Sequence, residues 1–147
     1  AKAELLGSAF ARICLSRLGT EFVERVDILK GIADARRIAN DAGRDRSLLI
    51  FPEGTLYRMP GLHEFHMGAF TAAVEANIPV IPITIRGTRS KLRDTSLFPR
   101  QGPIDISIGK PLFPQGTDWN AALTLRDQAR AEILSHCGEP DLSESSR

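Results

Sequence analysis

The residues best placed to do chemistry lie in one stretch, Phe51-Pro52-Glu53-Gly54-Thr55. The apolar run 48–51 opens directly into a proline, a carboxylate, a glycine and a hydroxyl. In α/β sheets, ligands bind beyond the carboxyl ends of strands, and a carboxylate following such a run sits in that position. Gly54 lets the backbone approach a ligand closely, and Thr55 with the amides after it can donate to an anion. The same residues also fit a plain strand-end turn with a solvated glutamate, so their neighbours must decide.

Other combinations of reactive side chains say less. Arg86, Arg89, Lys91 and Arg93 crowd one loop against a single acid, Asp94. Such a run is either a solvated surface or a contact for CoA phosphates or anionic lipid headgroups. No aromatic platform accompanies it, and no nucleic-acid partner is expected. His63-Glu64-Phe65-His66 lacks the spacing that places two imidazoles one helical turn apart, so no metal site is expected. His136 and Asp141 lie close in sequence, but Gly138 and Pro140 interrupt the chain between them, and the pair is not read as catalytic. Cys14 and Cys137 lie far apart with no ligand spacing, which favours a reducing compartment over a disulfide framework.

These residues must be positioned by one domain. The 147 residues are 42% hydrophobic and 25% charged, with a net charge of +1 that gives no global signal for a polyanion. Helical spacing is expected over residues 3–18 (Leu6, Phe10, Ile13), on a core helix or one lying on a membrane surface. A strand over 20–28, a helix over 27–42 and a strand over 48–51 follow. The continuous apolar character of 48–51 suits a strand covered on both faces. A helix over 63–76 is closed by Asn77 and Pro79, and an apolar strand over 80–85 completes a parallel crossover. Ile104, Ile106 and Ile108 alternate as a half-buried strand near a sheet edge. Thr117 or Asp118 caps a last helix with Trp119, Ala122, Leu123, Ala129 and Ile133 inward, stopped by Gly138 and Pro140. The expected fold is α/β, a mostly parallel sheet flanked by helices, with residues 1–137 as the domain and 138–147 as a disordered tail. No stretch reaches the roughly 18 apolar residues that span a membrane. Ala1 opens the chain without a visible signal peptide, as after removal of a methionine or in a piece of a longer protein.

Taken in order, three motifs accompany one another. Gly19, Phe22, Glu24 and Arg25 come first, then Phe51-Pro52-Glu53-Gly54-Thr55, then the apolar strand 80–83 with Pro79 and Pro82. This set resembles the glycerolipid acyltransferase family, the lysophosphatidate (1-acylglycerol-3-phosphate) acyltransferases, in that family's second, third and fourth motifs. The third is matched at all five positions. Residues 1–5 are similar to the segment just after the family's first motif, and the resemblance runs to about Pro111. Leu56 stands where the family often has arginine, with Arg58 two residues on. The first motif, Asn-His with an Asp five residues after the His, is expected upstream of Lys2.

The resemblance implies an acyltransferase-like, N-terminally truncated domain. It implies acyl transfer from acyl-CoA or acyl-carrier protein to a lysophosphatidate-like acceptor in phospholipid biosynthesis, with the upstream His as base and the Asp orienting it. Arg25 would pair with the acceptor phosphate, and Glu53, Gly54 and Thr55 would shape the acceptor site. Arg86, Arg89, Lys91 and Arg93 are candidate phosphate or membrane contacts. No catalytic residue, metal or resident cofactor is expected within this chain, the acyl donor being a co-substrate. The implied partners are the lysophospholipid, the acyl donor and a membrane surface, with peripheral placement on the cytoplasmic face. On this reading the 147-residue chain by itself is inactive. The alternative is a non-catalytic lipid-phosphate-binding module within a larger protein; a generic α/β domain is the third reading.

Overall fold

A computed structural model describes residue 17 and residues 47–55, 57, 59–91 and 100–143. Apart from Arg17, which is helical, the elements expected over 3–42 lie outside the described residues, as does Arg25.

Helix α1, Gly68–Ala76, is rich in alanine and buries Phe70, Ala72, Ala73 and Val74. It starts later than the spacing of 63–76 predicts. The amides before it are already committed elsewhere: Leu62 N–H to the Pro140 carbonyl, His63 N–H to Glu53 and His66 N–H to the Pro52 carbonyl. Asn77 ends α1 in the left-handed region at φ 51°. Its N–H bonds the Val74 carbonyl and the Ile78 N–H bonds that of Ala73, so the last turn is closed before Pro79.

Strand β1, Ile83–Arg86, pairs antiparallel with β2, Asp105–Ile108, in the register Ile83–Ile108 through Arg86–Asp105. The one-turn helix α2, Thr88–Lys91, follows β1. Val80 and Leu112 extend the ladder with two bonds of 2.9 and 2.8 Å. Between the pairs Ile83–Ile108 and Val80–Leu112 the second strand carries one more residue than the first, a bulge at Lys110-Pro111.

The expected parallel sheet is therefore not found among the described residues, which contain a two-stranded antiparallel sheet. Residues 48–51 are exposed, non-strand chain with Phe51 70% accessible, and no crossover from them is found among the described residues.

Helix α3, Trp119–Cys137, is capped by Asp118, whose Oδ1 accepts the Ala121 N–H at 2.9 Å. Gly138 ends it with φ 68°. Ala121, Ala122, Leu125 and Ala129 form its buried face, whereas Trp119, expected inward, is 56% exposed. The cap places Trp119 at the first helical position, off the stripe that repeats through 122, 125 and 129. The core lies between α1 and α3: Leu62, Phe65, Phe70, Ala73 and Val74 meet Ala121, Ala122, Leu125 and Ala129. The alanines let the helices approach, and the Phe65 and Phe70 rings stack with centroids 6.3 Å apart.

The sheet turns Pro82 and Thr84 inward, while Ile83, Ile85, Ile106 and Ile108 lie exposed. Thus the isoleucine alternation over 104–108 is real, but its apolar side is the exposed one among the described residues.

Residues 138–143 are not a loose tail. Leu62 and Asp141 form a parallel bridge in which the Leu62 N–H donates to the Pro140 carbonyl and the Leu142 N–H to that of Leu62. Expected as chain end because Gly138 and Pro140 stop the helix, this segment turns back and straps the stretch before α1. Residues 144–147 lie outside the described residues.

Candidate functional site

Phe51-Pro52-Glu53-Gly54 is a tight turn in which the Gly54 N–H donates to the Phe51 carbonyl at 3.1 Å. Proline suits the second position of such a turn and glycine the fourth. Gly54 adopts φ 69°, a conformation that strains residues with a Cβ. Two bonds tie the turn to the segment before α1. The His66 N–H donates to the Pro52 carbonyl at 2.9 Å, and the His63 N–H donates to Glu53 Oε2 at 3.2 Å. Glu53 and Gly54 are half-buried and Thr55 is exposed. The Glu53 carboxylate is thus oriented by a main-chain donor, with no ion pair to a described residue.

The far side of this segment is fixed by α2, α3 and the strap. The Tyr57 ring stacks on His63 with centroids 3.7 Å apart, and His63 Nε2 is buried without a hydrogen-bond partner among the described residues. Arg89 Nη1 donates to the Tyr57 carbonyl at 3.0 Å, and its Nη2 pairs with Glu139 at 3.3 Å. Glu139 Oε2 in turn accepts the Gly61 N–H at 2.8 Å. Gly61 has φ 144°, and the Leu142 side chain occupies the space a Cβ would need.

Arg130 holds the next two residues. Its Nη2 donates to the Leu62 carbonyl at 2.8 Å and its Nε to that of His63 at 3.3 Å. Nη1 and Nη2 also grip Asp141 at 3.1 and 2.6 Å. The guanidinium sits 5.9 Å from the Phe65 ring centroid. The Arg130 bond, followed by the backbone and hydroxyl of Ser143, holds the Asp141 carboxyl well below the usual carboxylate range.

The structure brings some of the sequence-predicted residues together and separates others. Glu53, Gly54 and Thr55 share the turn, and Arg89 reaches the same wall through Tyr57 and Glu139. Arg86 lies opposite Asp105 in the sheet and beside Gly138. Lys91 points the other way, with Nζ 3.5 Å from the Gln101 carbonyl. Arg25 and Arg93 lie outside the described residues. His136 Nδ1 lies against Ser135 Oγ and the Glu132 carbonyl, so it and Asp141 serve different partners.

Sequence reading passed over Arg130 and Glu139, and weighed Asp141 only as a partner of His136. The one available signal is Arg130 itself, a charge directly beside Ala129 at the edge of the apolar stripe of α3.

Comparison with known proteins decides the family. The acyltransferase family model matches residues 1–86, which include the whole Phe51–Thr55 turn. This chain belongs to the acyltransferase family. Among its relatives, a chloroplastic 1-acyl-sn-glycerol-3-phosphate acyltransferase of Brassica napus is 31% identical over 121 residues, covering 81% of this chain and 33% of the relative. The lyso-ornithine lipid O-acyltransferase of Pseudomonas aeruginosa is 30% identical over 137 residues, covering 80% and 51%. The 1-acyl-sn-glycerol-3-phosphate acyltransferase of Escherichia coli is 29% identical over 120 residues, covering 81% and 45%. The chain spans a third to about half the length of these relatives. No solved structure matches it.

Proposed function

We propose that the complete protein transfers an acyl group from acyl-CoA or acyl-carrier protein to the hydroxyl of a lysophosphatidate-like acceptor. The observation that carries this reading is the Phe51–Thr55 turn, whose carboxylate is aimed by the His63 amide in a chain of the acyltransferase family. Two of the relatives compared above are named for 1-acyl-sn-glycerol-3-phosphate.

In this reaction the acceptor oxygen attacks the thioester carbonyl, the carbon–sulfur bond breaks, and the acceptor's proton passes through a base to the leaving thiol. The base is assigned to a His N-terminal to Lys2, oriented by an Asp five residues after it. Arg25 holds the acceptor phosphate, since a guanidinium pairs bidentately with phosphate oxygens. Glu53, Gly54 and Thr55 form the wall beside it. Arg86, Arg89, Lys91 and Arg93 are the candidate contacts for donor phosphates or an anionic membrane on the cytoplasmic side, a basic charge contributing about 1 kcal/mol near such a surface.

The test is product formation by the complete purified protein, given acyl-CoA or acyl-carrier protein as donor and lysophosphatidate or a lyso-ornithine lipid as acceptor. Phosphatidate formation is expected. Binding of lysophosphatidate without turnover on either donor would replace the reading with a non-catalytic lipid-phosphate module.

A further inference from the structure

Arg130 lies outside the residues that match the family, yet it reaches the segment that aims Glu53. Its side chain is only 13% exposed. One planar group meets four acceptor atoms on three residues: the Leu62 carbonyl, the His63 carbonyl and both Asp141 oxygens. His63 then donates its own N–H to Glu53. The chain of contact thus runs Asp141, Arg130, the 62–63 backbone, Glu53, and each link is a hydrogen bond. The strap reinforces it, because Leu62 also bonds Pro140 and Leu142.

We propose that Arg130 is a positioning residue of the acceptor site: gripped by Asp141, its guanidinium fork fixes the Leu62 and His63 carbonyls and so sets the His63 amide that orients Glu53. This deepens the proposed function and rests on that reading for its kinetic consequence. Part of the site's geometry is then set from the C-terminal helix and strap, beyond the matched domain. Lysine cannot replace the arginine, since it offers a compact charge without the planar fork that reaches two carbonyls and a carboxylate at once.

The experiment uses the complete protein carrying Arg130→Lys or Asp141→Asn, beside Leu125→Val, which loosens the core face of α3 without removing a hydrogen bond to residues 62–63. Two readouts are taken. The first is residue-resolved hydrogen exchange at the His63 amide, which does not depend on activity. The second is the Michaelis constant for lysophosphatidate against that for the acyl donor. Arg130→Lys is expected to speed His63 exchange and to raise the acceptor constant about tenfold while leaving the donor constant unchanged. Asp141→Asn should shift both readouts in the same direction and less, and Leu125→Val should leave the acceptor constant as in wild type. Unchanged His63 exchange in both Arg130→Lys and Asp141→Asn overturns the proposal, as does an acceptor constant that rises equally in Leu125→Val. Faster exchange in a protein that transfers no acyl group supports the coupling and overturns the acyl-transfer reading instead.

Discussion

The His63 amide donates to the Glu53 carboxylate across 3.2 Å, joining the turn after the apolar run 48–51 to the segment that leads into α1. A half-buried carboxylate held this way has a defined direction, which a solvated turn glutamate lacks. Glu53→Ala in the complete protein should therefore cost about 0.5–1.5 kcal/mol of stability from the lost bond. Glu53→Gln keeps an acceptor oxygen and should cost less. Urea unfolding of the two variants beside wild type checks the order.

The phosphate role proposed for Arg25 is one that kinetics can isolate. Arg25→Ala in the complete protein should raise the Michaelis constant for the phosphate-bearing acceptor more than that for the acyl donor. Equal changes in the two constants would remove its assignment to the phosphate.

The 147-residue chain contains no assigned general base, so it should show no acyl transfer above background under conditions where the complete protein turns over. Turnover by this chain would place the base within it.

The Arg130–Asp141 pair has a pH signature. The Asp141 carboxyl titrates below its unfolded value in the folded protein, so its contribution is fully present above the ordinary aspartate value of about 3.9. It is lost as the pH falls from there through the depressed folded value. The stability difference between wild type and Asp141→Asn should stay constant from neutral pH to about pH 5 and shrink below about pH 4. Urea midpoints across that range measure it.

Leu125 is the largest fully buried side chain among the described residues, 1% exposed between α1 and α3. Leu125→Ala should destabilise the protein by about 2–5 kcal/mol, read as a lower urea midpoint.

What was legible in the sequence was local. Asn77 with Pro79, Asp118 and Gly138 marked helix ends because capping is decided within a few residues. The Phe51–Thr55 turn was legible because its chemistry is contiguous. Strand direction was not, since neither the apolar character of 80–85 nor the alternation in 104–108 carries information about which way two strands run. Nor does alternation say which face is covered: Pro82 and Thr84 turn inward while the isoleucines beside them lie exposed. The support of the site was hidden for a related reason. Arg130 meets Leu62 across 68 positions of sequence, and Gly138 and Pro140 read as a helix stop without revealing that the chain turns back to bond it.

The account stands on the turn around Glu53 being a wall of the acceptor site. Phosphatidate formation by the complete protein, wild type beside Glu53→Ala, tests this most directly when acceptor and donor are varied separately. Wild type should turn over, and Glu53→Ala should lower kcat/KM for lysophosphatidate by about tenfold or more with the donor KM unchanged. Full activity in folded Glu53→Ala, or no turnover by wild type on either donor, would contradict it.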